Sequence, residues 1–140
     1  MSSVEISKLR KVLSDNGYSL TKARTETFKL LLNPDPQSMN ELLTKAAGKL
    51  DRVSVYRNID VFEKICIVQR IYIGWKYKLE LSDQFIGHHH HFSCLNCGRT
   101  IDIEDNVVIE DFVSSLSAKF KFTARRHQFE IDGYCKDCAE

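Results

Sequence analysis

The sequence predicts an α+β chain in two parts: a helical half closed by a β-hairpin, then a small α/β half organised around cysteines and histidines. Three observations carry this. Apolar residues recur at helical spacing, with capping residues, through the first 64 positions. Two β-rich runs then flank Gly74 and Trp75. The remainder holds two C-x-x-C pairs and all five histidines. A chain of 140 residues has room for one ordinary domain or two small ones. The division is placed at 1–82 and 83–140.

Taken in order, Ile6, Leu9 and Leu13 share one face of a helix over Val4–Asn16, and Gly17 stands where that helix would end. Thr21 caps a second helix carrying Phe28, Leu31 and Leu32, stopped by Pro34 and Pro36. Ser38 and Glu41 form a capping box that opens a third, with Leu42, Leu43 and Ala46 inward. Asp51 to Lys64 makes a fourth, striped by Val55, Ile59 and Phe62. The short Gly48–Asp51 connection suits a helix-turn-helix, and "IVQRIYIGWKYKLELS" adds a hairpin, so the first half reads as a winged helix. "DQFIG" is a linker. Strand, strand, helix (106–119) and strand (126–134) follow.

Composition is that of a globular protein, 43% apolar and 28% charged. With no apolar run of membrane-spanning length and no signal-peptide core, the chain is expected to be cytoplasmic, with no membrane partner. Residues 1–82 carry 14 Lys/Arg against 9 Asp/Glu, a net of +5; residues 83–140 carry 6 against 10, a net of −4. A basic half can face nucleic acid, although uneven surface charge alone is equally common without it.

The stretch "GHHHHFSCLNCGRTIDIED" is the most informative. An affinity tag is terminal and longer, so an internal run of four histidines in a β-patterned segment is not a tag. Along a strand, His88 and His90 point one way and His89 and His91 the other. Same-face neighbours sit ~7 Å apart and can converge on one ion. Four consecutive histidines therefore make two half-sites, back to back. Glu80, Asp102, Glu110 and His127 are the candidate further ligands, and spacing alone leaves open which joins which pair. Cys94, Cys97, Cys135 and Cys138 supply four thiolates for a closed tetrahedral zinc site, the usual use of such pairs in a reducing compartment. Binding of that kind can supply roughly 10–16 kcal/mol to a half with a small core. Cys66 is left over and reads as a small buried residue near a helix end.

These features together resemble the ferric uptake regulator family of bacterial metal-sensing repressors. The residues that carry the resemblance are "VSVYRNIDVFEK", "LELSD", "HHHHFSCLNCGRTID", His127 and "GYCKDC", and it spans Gly17 to Cys138. It implies a winged-helix DNA-binding domain joined by a hinge to an α/β dimerisation domain. It also implies that cysteines 94, 97, 135 and 138 hold structural Zn2+. Glu80, His89, His91 and Asp102 match the sensory site at the hinge. His88, His90, Glu110 and His127 match an additional site in the dimerisation domain. Two departures stand out. Many members add a sensory histidine from the turn before the third helix, where this chain has Gln37. The N-terminal T-x-x-R signature keeps Thr21 and Arg24 but has Ser19 and Ala23 in place of its usual basic residue and proline.

In the winged-helix reading the fourth helix enters the major groove of double-stranded DNA. Tyr56 offers its ring to a thymine methyl, Arg57 holds a phosphate or base edge, and Ser54 binds phosphate. Lys22, Arg24, Lys76 and Lys78 position the duplex. The expected function is a metal-responsive repressor, a homodimer or a pair of dimers, that binds A/T-rich palindromes. Fe2+ is the first expectation for the regulatory metal, with Mn2+, Co2+ or Zn2+, or peroxide sensing, as alternatives. A zinc enzyme is disfavoured, because each ligand set can close around its metal and no H-E-x-x-H or H-x-E…P-C-x-x-C pattern occurs. A zinc-ribbon interaction module would explain the cysteines but not the basic helices.

Overall fold

The computed structural model describes residues 1–104 and 106–139, which fall into two compact units divided between Gly87 and His88. In the first, α1 (Ser3–Asp15) opens with a capping box between Ser2 and Glu5. It ends in a Schellman turn, with Gly17 at φ +81° and Tyr18 N–H donating to Leu13 O at 2.9 Å. Thr21 caps α2 (Lys22–Leu31), the Ser38/Glu41 box caps α3 (Met39–Ala46), and Asp51 caps α4 (Arg52–Lys64). Each cap satisfies N–H groups that a helix start leaves without a partner.

β1 (Val68–Ile73) and β2 (Lys76–Leu81) then pair antiparallel, Ile73 opposite Lys76, which leaves Gly74-Trp75 as a two-residue turn. Gly74 has φ +62° and Trp75 does not have a positive φ, the pattern of a type II′ turn with glycine in its first central position. Gln37 and Leu79 exchange both backbone hydrogen bonds, at 2.9 and 2.7 Å, so the segment before α3 adds a third, minimal strand to the hairpin. Four helices and this hairpin make a winged helix-turn-helix.

Fourteen buried apolar residues form its core, among them Leu9, Leu13, Phe28, Leu42, Val55, Phe62 and Leu79. Each large side chain among them contributes about 1.5–3 kcal/mol on leaving water. Inside it Asn58 of α4 donates a 2.9 Å hydrogen bond to Thr27 of α2, fixing how the two helices meet. The segment expected as a linker instead forms α5 (Asp83–Ile86), a single turn after Ser82.

The second unit is built differently. β3 (His89–Cys94) is the centre of a three-stranded sheet, antiparallel to β4 (Thr100–Glu104) and parallel to β5 (Glu130–Gly133); α6 (Val107–Lys119) lies between β4 and β5 in sequence. The last strand is shorter than the expected 126–134, because only 130–133 pair residue for residue with β3; Phe129 O closes the ladder by accepting from His91 N–H at 3.4 Å. Among the described residues of this unit, only His90, His91, Ser93 and Cys94 are buried. Val107, Val108, Phe112 and Leu116 of α6 are exposed, as are Phe120, Phe122 and Tyr134. Among the described residues the unit therefore lacks an apolar core of its own, and its side-chain clusters are polar.

Two further helix ends use Schellman turns without glycine. Cys66 follows α4 at φ +60°, with Ile67 N–H on Phe62 O at 2.8 Å; Lys121 follows α6 at φ +50°, with Phe122 N–H on Ser117 O at 2.8 Å. Cys66 is thus near a helix end as expected, but exposed rather than buried. A Schellman turn needs a left-handed residue at that position whatever its side chain, and here the position projects outward.

Candidate metal centres

The cysteine site is assembled from two short loops. Leu95-Asn96 separates Cys94 from Cys97 at the end of β3, and Lys136-Asp137 separates Cys135 from Cys138 after β5. Parallel pairing of β3 with β5 sets Cys94 beside Gly133 and so brings the loops together. All four sulfur atoms lie within 4.8 Å of one another. Arms of about 2.3 Å imply tetrahedral edges of about 3.8 Å, and Cys97 Sγ lies 3.8 Å from Cys135 Sγ. The donor set and spacing fit a zinc ion.

Its electrostatics are uneven. Backbone N–H groups of Cys135 and then Cys97 point at the Cys94 sulfur and draw its thiol down to about 6. The Asn96 side chain draws Cys138 down, but the thiols around it, Cys135 foremost, and burial outweigh that and push it up to about 11. Four thiolates this close repel one another, and a divalent cation removes the conflict. Sequence reasoning passed over Arg99, whose guanidinium donates to Asp137 at 3.0 Å and so links the two loops. The only signal was their place inside the C-x-x-C-G-R and C-x-D-C stretches.

The second cluster takes His88 and His90 from the start of the sheet, Glu110 from the first turn of α6, and His127 from the segment before β5. The ring nitrogens Nε2 of His88 and His90 each lie 3.0 Å from Glu110 Oε1, and that of His127 3.1 Å from it. His88 Nε2 is also 3.0 Å from His127 Nε2. Burial pushes the Glu110 carboxyl up, but hydrogen bonds to His90, His127 and His88 outweigh it and hold it down at about 2. An ionised carboxylate with three imidazoles converging on it is a donor set for a borderline divalent metal.

The opposite face of β3 carries His89 and His91, their rings 4.6 Å apart. The β3–β4 register places Asp102 directly opposite His91, and His91 Nε2 is 3.7 Å from Asp102 Oδ1. The histidine run is thus divided between two faces, with the partners for each taken from different elements. Glu80 belongs to the first unit, on β2, where it accepts a 2.8 Å hydrogen bond from Gln69 Nε2.

In the winged helix, Arg24, Ser54 and Arg57 line one cleft between α2 and α4. Arg24 Nη1 donates to Ser19 O at 2.7 Å and its guanidinium lies over the Tyr18 ring, 5.3 Å from the centroid, so this arginine also braces the turn before α2. Ser54 Oγ donates to the Asp51 carboxylate at 2.7 Å and is part of the α4 cap. Tyr56 is exposed, and Lys22 stands exposed at the start of α2.

A winged helix followed by a unit with clustered Cys, His and acidic side chains is an arrangement suited to a DNA-binding protein that holds metal. The model of the ferric uptake regulator family matches residues 15–132, and the chain belongs to that family. The ferric uptake regulation protein of Vibrio parahaemolyticus is 31% identical over 131 residues, covering 89% of this chain and 86% of that one. The crystal structure of the Vibrio cholerae ferric uptake regulator superposes with a TM-score of 0.71 at 29% identity, over 90% of this chain and 98% of that chain. The Pseudomonas aeruginosa regulator, determined with manganese, gives 0.75 at 25% identity, over 95% and 98%. The chain is accordingly a metal-responsive transcription regulator that binds DNA, and not an enzyme. No helix among the described residues is long and apolar enough to cross a membrane.

Proposed function

We propose that this regulator is a cytoplasmic, iron-responsive repressor that binds A/T-rich palindromic operators as a homodimer when Glu80, His89, His91 and Asp102 hold a divalent metal. The observation that carries the proposal is the division of the histidine run. One face of β3 presents His89, His91 and the facing Asp102, apart from the His88, His90, Glu110 and His127 cluster. Two imidazoles and two carboxylates, without a thiolate, suit Fe2+ among the metals a cell offers, with Mn2+ next. Zn2+ is assigned to the four cysteines, where it supplies a structural cross-link. Glu80 comes from the wing and the other three ligands from the second unit, so shared ligation favours one arrangement of the units by its differential affinity for it.

The exposed apolar side chains of α6 and the unit's lack of a core support a homodimer, the second copy covering Val107, Val108, Phe112 and Leu116. A two-fold dimer presents two copies of α4 to two half-sites. In that role Tyr56 and Arg57 read base edges, while Lys22 and Arg24 hold the backbone; Ser54 reaches a phosphate only by giving up its hydrogen bond to Asp51.

Selection from random duplex DNA by the zinc-loaded protein, with and without Mn2+ as an air-stable stand-in for Fe2+, tests the proposal. Enrichment of an A/T-rich palindrome only with metal is the expected result, abolished by Glu80→Ala or His89→Ala with the fold intact. Equal enrichment without metal, or an unchanged metal response in both variants, would refute the sensory assignment.

A further inference from the structure

We propose that Trp75, at the tip of the wing, is a DNA-contacting residue whose indole packs against the sugar edges of the duplex beside the groove that α4 enters. Trp75 is 89% exposed, although indole is among the costliest side chains to leave in water. Nothing in the hairpin requires tryptophan there, because the turn's conformational demand falls on Gly74.

The tip is also rigid. Six facing pairs hold β1 to β2, and the Gln37–Leu79 bridge ties the base of the hairpin to the segment before α3. An aromatic group on a rigid mount loses little freedom when it binds, which is what a recognition contact needs.

The chemistry around it selects the partner. The Lys76 ammonium lies 5.3 Å from the Trp75 ring centroid, and Tyr72, half exposed, packs against Tyr77 with centroids 6.4 Å apart. The Arg70 guanidinium covers Tyr77 at 4.1 Å. Residues 1–87 carry 14 Lys/Arg against 10 Asp/Glu. One indole between Gly74 and Lys76 is too narrow an apolar surface for a protein partner, which would need a contiguous patch. Interleaved aromatic faces and cations match a duplex, whose phosphates alternate with apolar sugars. The contact is one of positioning, so it adds affinity without reading sequence.

Trp75 is the single tryptophan, so its emission reports this contact alone. Zinc-loaded protein with Mn2+ is titrated with a dye-labelled pool of random duplexes; dye anisotropy follows binding and acrylamide quenching follows the indole. The expected result is that quenching falls by about half or more, in step with anisotropy, as contact with the sugars shields the ring. Trp75→Ala should weaken binding about fivefold or more, by a similar factor on every duplex, while Trp75→Phe keeps most of it. Unchanged circular dichroism and zinc content would show that both variants are folded. Duplex binding with unaltered quenching, or Trp75→Ala within about twofold of wild type, would overturn the proposal. So would indole shielding that depends on protein concentration without DNA. Absence of any anisotropy change would overturn it together with DNA binding itself, a separate outcome because the dye does not depend on the indole.

Discussion

Replacing Thr27 by valine removes a hydroxyl while keeping the shape of a buried side chain, and it isolates what fixes α2 against α4. Thr27 is 1% exposed and Asn58 8%. The hydroxyl donates to Ala23 O at 2.8 Å and accepts from Asn58 Nδ2 at 2.9 Å. Valine leaves the Asn58 amide without that partner at the buried edge of the α2–α4 cleft, at a cost of about 1–3 kcal/mol. Asn58→Ala removes the donor but leaves the Thr27 hydroxyl on Ala23 O, so it should cost about 1 kcal/mol plus the packing it loses. The double variant should be less damaged than the sum by about 1 kcal/mol, because the second change removes a group that the first had already orphaned. Urea unfolding followed by circular dichroism measures all four corners of the cycle; the midpoint should fall with the slope unchanged. DNA affinity should fall in Thr27→Val, since α4 is held less firmly, while metal binding in the second unit stays as it was. Thr27→Val within about 0.5 kcal/mol of wild type, or strict additivity, would show that packing and not this hydrogen bond sets the helix pair.

Other outcomes follow from the cysteine site and from the helix ends. In metal-stripped protein that circular dichroism shows to be still folded, thiolate absorbance should rise in a first step near pH 6, lost in Cys94→Ser, and in a last step near pH 11. Because the folded Cys94 pKa lies below its unfolded value of about 8.5, its stabilising effect is complete above that value and is lost as pH falls through about 6. Lys121→Gly should stabilise the protein by about 0.5–1 kcal/mol in thermal unfolding, since φ +50° suits glycine and strains lysine.

The four helices were legible because each keeps one apolar period and carries a cap or a stop at an end, Thr21 and the Ser38/Glu41 box at starts and Gly17 and Pro34 at ends; the hairpin was legible from two β-rich runs about Gly74. Those signals are local, and here the tertiary context agrees with them. What was not legible depended on long-range pairing. Arg126–Gln128 has strand composition but lies outside the β3–β5 ladder, which begins with Phe129 O accepting from His91 N–H, and His127 instead turns to Glu110. The segment 83–87 was too short for a periodic signal, and a single turn formed where Ser82 allowed it. Cys66 carries no mark that a left-handed helix end would place it outside. The alternation of the histidines was readable from strand geometry, and so was their division between faces. The partners for each face came from the resemblance. In the second unit, register and distance bring Asp102 to one face and Glu110 with His127 to the other.

Gln37 shows why position in a family pattern does not fix chemistry. It stands where many relatives place a sensory histidine, and an amide oxygen could in principle replace an imidazole. Both ends of this amide are engaged inside the winged helix. Nε2 donates to Leu30 O at 2.8 Å, and Oε1 accepts from the Lys45 ammonium. An oxygen already facing one cation is a poor ligand for a second, since like charges there repel. The residue acts instead as a tie between the end of α2, α3 and the wing, through its side chain and its backbone bridge to Leu79, the neighbour of Glu80. Gln37→Leu should therefore lower stability by about 1–3 kcal/mol, read by urea unfolding, while the Mn2+ concentration at half-maximal DNA binding stays unchanged. A variant of wild-type stability that needed much more metal would refute this, because only a ligand could be lost without loosening the fold.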